Sequence, residues 1–208
     1  TDGIRGVVGG SAISALSVLK IGFAYGKFLK TRFKSKTKTN PKIIIGKDTR
    51  ISGYMLESAL ESGLLASGVD IILAGPLPTP AISHLVLSLR LQGGVVISAS
   101  HNLYEDNGLK FFDEFGNKLN DISENLIEEN YQNINYETPS NFLGKAERIE
   151  DGVGRYIEFC KNSFNKSFNL KNFKLLIDCA NGAAYKAGPK LLRSLGAVVY
   201  ETGTVPNG

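Results

Sequence analysis

Three short, largely apolar runs constrain the fold most: Ile43–Ile45, Val69–Leu73 and Val95–Ile97. Each is too short to stand as a helix, and unbroken apolar runs of this length suit strands covered on both faces of a sheet. Helical stretches separate them. Residues 14–33 bring Leu16, Leu19, Phe23, Gly26, Leu29 and Phe33 onto one face at steps of three or four. Residues 54–67 do the same with Leu56, Leu60 and Leu64, and Gly68 follows as a cap. A third helix is expected over 81–91, after the turn-rich Gly75-Pro76-Leu77-Pro78-Thr79-Pro80. Strands alternating with helices specify an α/β fold: mixed, mostly parallel sheets with helices on both faces. In such sheets ligands bind beyond the carboxyl ends of the strands, where loops 46–53 and 98–108 fall.

The pattern continues with a helix over 121–131, opened by Asp121 with Glu124 three positions on, in the manner of a capping box. Residues 131–148 are polar and read as surface loop or short strands. Val153–Phe164 reads as a helix with Tyr156, Ile157 and Cys160 inward. A fresh unit then begins: strand Leu175–Ile177, helix 183–195, strand Ala197–Tyr200. We therefore divide the chain near residue 150, with a complete first domain (1–150) and a partial second one (151–208). Two strands and one helix bury too little to stabilise a sheet. The chain also lacks a Met at position 1. The expectation is a piece of a longer product, interrupted within its second domain.

Of the 208 residues, 42% are hydrophobic and 21% charged, an ordinary globular balance. The net charge of +4 is concentrated in the run Lys30–Lys42, with Arg32, Lys34, Lys36 and Lys38. Without interleaved aromatics this reads as a helix end and solvated loop, so nucleic acid is not an expected partner. No signal peptide and no apolar run of membrane-spanning length are present. Cys160 and Cys179 have no metal-like spacing and read as small core residues in a reducing, cytoplasmic setting.

The chemistry concentrates in Val95–Phe112, VVISASHNLYEDNGLKFF. A buried strand runs into Ser98-Ala99-Ser100-His101-Asn102. Asn107-Gly108 is expected to form the tight turn of a hairpin, because both turn positions favour positive φ. The following strand carries Lys110 and folds it back toward Ser100. A hydroxyl, an imidazole and an ammonium so grouped suit a serine that carries a phosphoryl group. Glu105 and Asp106 read as surface turn acids rather than a metal pair. His84 matches no motif and reads as structural. A Ser100–His101 hydrolase is disfavoured, because the Gly-x-Ser-x-Gly elbow is absent. Asp178–Gly182 follows a strand and precedes a helix, so either its amides bind an anion or it is simply a turn.

This serine loop, with Thr1-Asp2-Gly3-Ile4-Arg5-Gly6, Gly46-Lys47-Asp48-Thr49-Arg50-Ile51-Ser52-Gly53 and Asp178-Cys179-Ala180-Asn181-Gly182-Ala183-Ala184, resembles the α-D-phosphohexomutases. The order and spacing match over nearly the whole chain. Within that superfamily the branch acting on glucosamine phosphate is the most similar; the phosphomannomutase/phosphoglucomutase branch is the alternative. The resemblance implies an enzyme that moves a phosphoryl group between C6 and C1 of a hexosamine phosphate. It would do so through a phosphoserine and a sugar 1,6-bisphosphate, which also serves as activator, in supply of UDP-N-acetylglucosamine. It implies Ser100 as phosphoryl carrier, with His101 and Lys110 as acid–base or phosphate-contacting groups. Arg5, Asn102 and Arg50 would form the phosphate-binding group, Arg50 as a partner of Asp48 or a support of the serine loop rather than as a direct phosphate ligand. Mg²⁺ would bind through the Ser100 phosphate, with its remaining ligands beyond Gly208, and a homodimer is admissible. The family loop has Pro where this chain has Leu103, so the loop is expected to be less stiff. The 208-residue chain alone is expected to lack mutase activity, and a non-catalytic phosphosugar-binding module stays open as a third class.

Overall fold

The computed structural model describes residues 3–34, 39–136, 140–165 and 168–207. Thr1 and Asp2 of the first motif, and Lys36 and Lys38 of the basic run, lie outside the described residues.

The chain order is β1 (Ile4–Val7), α1 (Ala15–Phe33), β2 (Lys42–Lys47), α2 (Ser52–Ala66), β3 (Asp70–Pro76), α3 (Thr79–Ser88) and β4 (Gly93–Ile97). Then come β5 (Asp106–Phe112), α4 (Asp121–Gln132), a 3₁₀ turn (Ser140–Phe142), β6 (Ala146–Arg148), α5 (Gly152–Asn162), β7 (Lys174–Asp178), α6 (Ala187–Ser194) and β8 (Val198–Thr202). One sheet has the order β1-β5-β4-β2-β3-β6. The pairs β4/β2, β2/β3 and β3/β6 are parallel; β1/β5 and β5/β4 are antiparallel. A parallel β7/β8 pair forms a second, separate sheet.

Side-chain alternation explains why the β2–β4 runs are apolar throughout. Ile43, Ile45, Ile71, Leu73, Val95 and Ile97 join α1 and α2 in one core. Ile44, Ile72 and Val96 point the opposite way, into a core shared with α3 and flanked by Val153 and Tyr156 of α5. Every position of the runs 43–45, 71–73 and 95–97 meets a helix layer, and each such side chain contributes about 1.5–3 kcal/mol by leaving water. The strands therefore end in a fixed register: Lys47 at the carboxyl end of β2 lies beside Ile97 at that of β4. The two motif loops leave from adjacent strand ends.

Several expectations need correction. Asn107-Gly108 is not a turn: both residues lie within β5, where Gly108 faces Arg5 and Asn107 faces Gly6 of β1. The hairpin exists, but its connection is 98–105. Gly46 and Lys47 belong to β2 and Ser52 to α2, so the second motif loop shrinks to 48–51. Gly75 and Pro76 continue β3, and α3 starts at Thr79 because Pro80 fits a first turn, where its missing N–H is not needed. The cap of α4 is Asn120, whose side chain accepts from the Ser123 N–H at 3.0 Å, with Asp121 and Glu124 in the first turn instead. Leu16 is exposed, since α1 turns Val18, Ile21 and Tyr25 inward. Helix α6 begins at Ala187, after turns over 180–186. Cys160 and Cys179 are free and half-buried rather than core residues.

The described part of the basic run is largely partnered. Lys30 donates to Asn40 at 3.1 Å, Arg32 pairs with Glu114 at 2.9 Å, and Lys42 with Glu147 at 3.1 Å. Among the described residues no helix is long and apolar enough to cross a membrane.

Candidate active site

Ser100 stands two residues beyond the buried Ser98, just past the end of β4, and is exposed. Its φ of 56° is left-handed, a conformation that costs an L-residue about 1–2 kcal/mol. Each of its polar groups has a partner. Its N–H donates to Ser98 Oγ at 3.0 Å. Its Oγ accepts from Lys110 Nζ at 2.8 Å. Its carbonyl accepts a longer bond, 3.4 Å, from Arg50 Nη2. Lys110 reaches Ser100 because β5 runs antiparallel to β4, with Lys110 opposite Val96.

The rest of the loop is tied down from three sides. Asn102 accepts from Arg5 Nη1 at 3.1 Å and donates to Asp106 at 2.8 Å. Arg50 Nη2 donates to the Asn102 carbonyl at 2.7 Å. Arg50 Nη1 also pairs with Asp48 Oδ2, and the Arg50 N–H donates to Asp48 Oδ1 at 3.1 Å. The Asp48 N–H donates to the Ile97 carbonyl at 3.0 Å, joining the two motif loops at their roots. Below them, Lys47 and Glu57 form a buried ion pair at 2.5 Å, with the Lys47 ammonium 3.8 Å from the Tyr54 ring centre.

Ser100, His101 and Asn102 open onto a cleft of about 580 Å³, with Asp48, Thr49 and Arg50 on a second wall. Asn181, Gly182 and Pro206 form the far wall, so the fourth motif joins the same cleft. Thr49 Oγ1 donates to the Asn181 carbonyl at 2.6 Å across it. Arg5 and Lys110 do not line the cleft; they act on its rim through Asn102 and Ser100. The 178–182 segment is a turn whose amides are already engaged. Ala180 N–H donates to Asp178 Oδ1 at 2.8 Å, Asn181 N–H to Gly203 O at 2.6 Å, and Gly182 N–H to Cys179 O at 2.7 Å. The anion-binding reading of those three amides fails on this count. Beside them, burial pushes the Cys179 thiol pKa above its ordinary 9.0, helped by Asp178 and Glu201. This thiol is not an activated nucleophile.

Ser98, Thr49 and Asn181 were not singled out from sequence. Ser98 carried a signal, since a serine two residues before another can cap its N–H. Thr49 and Asn181 are 132 residues apart in the chain, so only tertiary structure reveals their contact.

A family description, phosphoglucomutase/phosphomannomutase, alpha/beta/alpha domain I, matches residues 1–138. The chain belongs to the phosphoglucomutase/phosphomannomutase family. Among curated relatives of this family, phosphoglucosamine mutase of Paraburkholderia phymatum is 54% identical over 209 residues, covering 100% of this chain and 46% of the relative. That of Burkholderia lata is 53% identical over 208 residues, again covering 46% of its length. The chain thus spans about half the length of the curated relatives it matches. A solved phosphoglucomutase/phosphomannomutase family protein from Burkholderia thailandensis superposes with a TM-score of 0.78 at 26% identity, over 99% of this chain and 45% of that one. The open form of the phosphoglucomutase parafusin from Paramecium, at 16% identity, shares the fold with a TM-score of 0.72 over 43% of its length. The family's α/β/α layering is the arrangement of helices about the larger sheet described above.

Family membership raises the question of a divalent cation. Among the described residues no group of three or more His, Cys, Asp or Glu side chains could hold one. Asp48, the carboxylate on the cleft, is committed to Arg50. The described side chains do not form a cation site by themselves.

Proposed function

We propose that this chain is the serine-bearing part of a phosphoglucosamine mutase, interconverting glucosamine 6-phosphate and glucosamine 1-phosphate through a phosphoserine and a sugar 1,6-bisphosphate. The observation that carries the reading is Ser100 Oγ held 2.8 Å from Lys110 Nζ at the mouth of the cleft, on a backbone locked in a left-handed turn. The 54% identity to curated phosphoglucosamine mutases, against 26% to the solved Burkholderia family protein, supports glucosamine phosphate over the phosphomannomutase/phosphoglucomutase alternative. The same reading divides the chain near residue 150, into a phosphoserine domain and the start of a second one, and makes the protein cytoplasmic.

The chemistry follows from the contacts. In the forward half-reaction the bond from phosphorus to Ser100 Oγ breaks as phosphorus bonds to a sugar hydroxyl. Oγ leaves with negative charge, and Lys110 supplies a proton to it. The sugar hydroxyl gives its own proton to His101, which opens onto the same cleft. After the bisphosphate turns over, the bond from the second phosphorus to its sugar oxygen breaks as that phosphorus bonds to Oγ. The serine proton passes back to Lys110, and His101 returns its proton to the departing sugar oxygen. The protein's contribution is alignment and charge neutralisation. Lys110 and Arg5, with the Asn102 amide that Arg5 orients, provide both around a dianionic phosphoserine. A magnesium ion would enter through the Ser100 phosphate, and no step here depends on a described cation ligand.

The test is phosphopeptide mass mapping of the product of the full reading frame, after incubation with glucosamine 1,6-bisphosphate and Mg²⁺, beside Ser100→Ala and Lys110→Met. Phosphate is expected on Ser100, with turnover lost in Ser100→Ala. Lys110→Met should lower kcat by about 10²–10⁴. Unmodified Ser100 in an active protein would remove the phosphoserine relay.

A further inference from the structure

We infer that Arg50, oriented by Asp48, is a positioning residue that holds the Ser100 loop in the geometry phosphoryl transfer needs, rather than a ligand of the substrate's phosphate. The inference rests on the phosphoserine reading above. It starts from the left-handed Ser100, whose φ is 56°. A non-glycine residue keeps such a conformation only where its surroundings enforce it. Lys110 and Ser98 fix the Oγ and N–H of Ser100. The carbonyls of Ser100 and Asn102 are gripped by Arg50, strongly at Asn102 (2.7 Å) and weakly at Ser100 (3.4 Å).

Both terminal nitrogens of the guanidinium are spent on the protein. Nη2 spans the two loop carbonyls, Nη1 pairs with Asp48, Nε is buried without a hydrogen-bond partner among the described residues, and the side chain is only 13% exposed. Asp48 is anchored in turn to the end of β4 through the Ile97 carbonyl at 3.0 Å. Arg50, Asp48 and Ile97 thus close a ring of hydrogen bonds around the root of the serine loop. A planar fork can serve three acceptors at fixed angles; an ammonium on a flexible stem cannot. If the ring loosens, Ser100 relaxes from its left-handed turn and Oγ swings away from Lys110 and the in-line direction. A displacement of about 1 Å at the reacting atom can cost about 100-fold in rate while leaving sugar contacts elsewhere unchanged.

The test uses the product of the full reading frame carrying Arg50→Lys, Asp48→Asn, or both. It measures kcat and KM for glucosamine 1-phosphate with bisphosphate and Mg²⁺, the rate of phosphate incorporation at Ser100, and the thermal midpoint. Each single variant is expected to lose about 10- to 100-fold in kcat and in Ser100 phosphorylation rate, with KM within about twofold. The double variant should be no worse than the poorer single one, because both break one ring. Arg50→Lys with raised KM and unchanged kcat would overturn the inference in favour of direct phosphate binding. Wild-type kcat in Asp48→Asn, which is near-isosteric and keeps Arg50, would also overturn it, and stands as the deciding measurement should Arg50→Lys not fold. Ser100→Ala separates the two levels: full turnover there would sink the phosphoserine reading itself.

Discussion

Gly108 illustrates how one residue type serves two physical ends. Beside Asn107 it reads as a turn former, yet it lies in β5 with no positive φ. A Cβ there would sit 2.5 Å from the Ile4 carbonyl oxygen and 3.1 Å from that of Ser98. The glycine is needed because β1 and the end of β4 crowd it from both sides. Asn107, fully buried, uses its side chain to accept from the Gly108 N–H at 2.8 Å and to donate to Ser52 at 2.9 Å. Gly108→Ala should therefore destabilise the fold by about 1–3 kcal/mol, read as a lower midpoint in chemical denaturation. An unchanged midpoint would show that the strands have room to part. The approach of Lys110 to Ser100 was legible from sequence because their spacing is local. The pairing of Asp48 with Arg50 was legible in the same way, whereas the supporting role of Ser98 was not, because short polar residues near a strand end have many alternative uses.

Helices and strands were legible where hydrophobic period and length agreed, as in β2, β4 and α1. Their ends were not, since propensity changes little over a residue or two, and caps such as Asn120 are settled by geometry. Strand β6 went unread as a definite element because Ala146–Arg148 is short, polar and exposed, and gains its strand form only by pairing with β3. His84, read from sequence as structural, stacks its ring on Phe159 at 4.0 Å and joins α3 to α5. Burial holds the His84 pKa below its ordinary 6.5. Between those two values the unfolded chain binds more protons than the folded one, so folding stability falls as pH drops from about 6.5 and levels off below the folded pKa. Unfolding free energies at about pH 7.5 and pH 5 should converge less in the wild type than in His84→Leu. An equal pH-dependent loss in both would assign the effect to other groups.

At the scale of the molecule, the cleft exists because three motif loops leave strand ends of two different sheets and meet. The Thr49–Asn181 bond is the direct polar link across it, and Asn181 also accepts from the Val205 N–H at 3.2 Å. Asn181 holds its place in a left-handed turn, with φ of 52°, which exposes its carbonyl to Thr49. Thr49→Val keeps the shape and removes the donor. Amide hydrogen exchange over 179–182 should then quicken relative to wild type, while β2 and β4 stay protected. Unchanged exchange would mean that the far wall is held from its own side alone. Around the smaller sheet, Leu176, Val198 and Tyr200 are exposed, whereas β2 to β4 of the larger sheet are covered on both faces.

By itself the sequence determined the α/β class, the burial of β2 to β4, and the grouping of Ser100 with Lys110. Those follow from side-chain period and from residues close together in the chain. Tertiary structure decided that Asn107-Gly108 is strand rather than turn, that Arg50 grips carbonyls, and that 178–182 spends its amides on itself and on the 202–203 backbone while the Asn181 carbonyl meets Thr49. Each of these depends on which backbone groups lie opposite one another after the sheets form, and that information is carried by packing across the whole chain rather than by any short stretch of it.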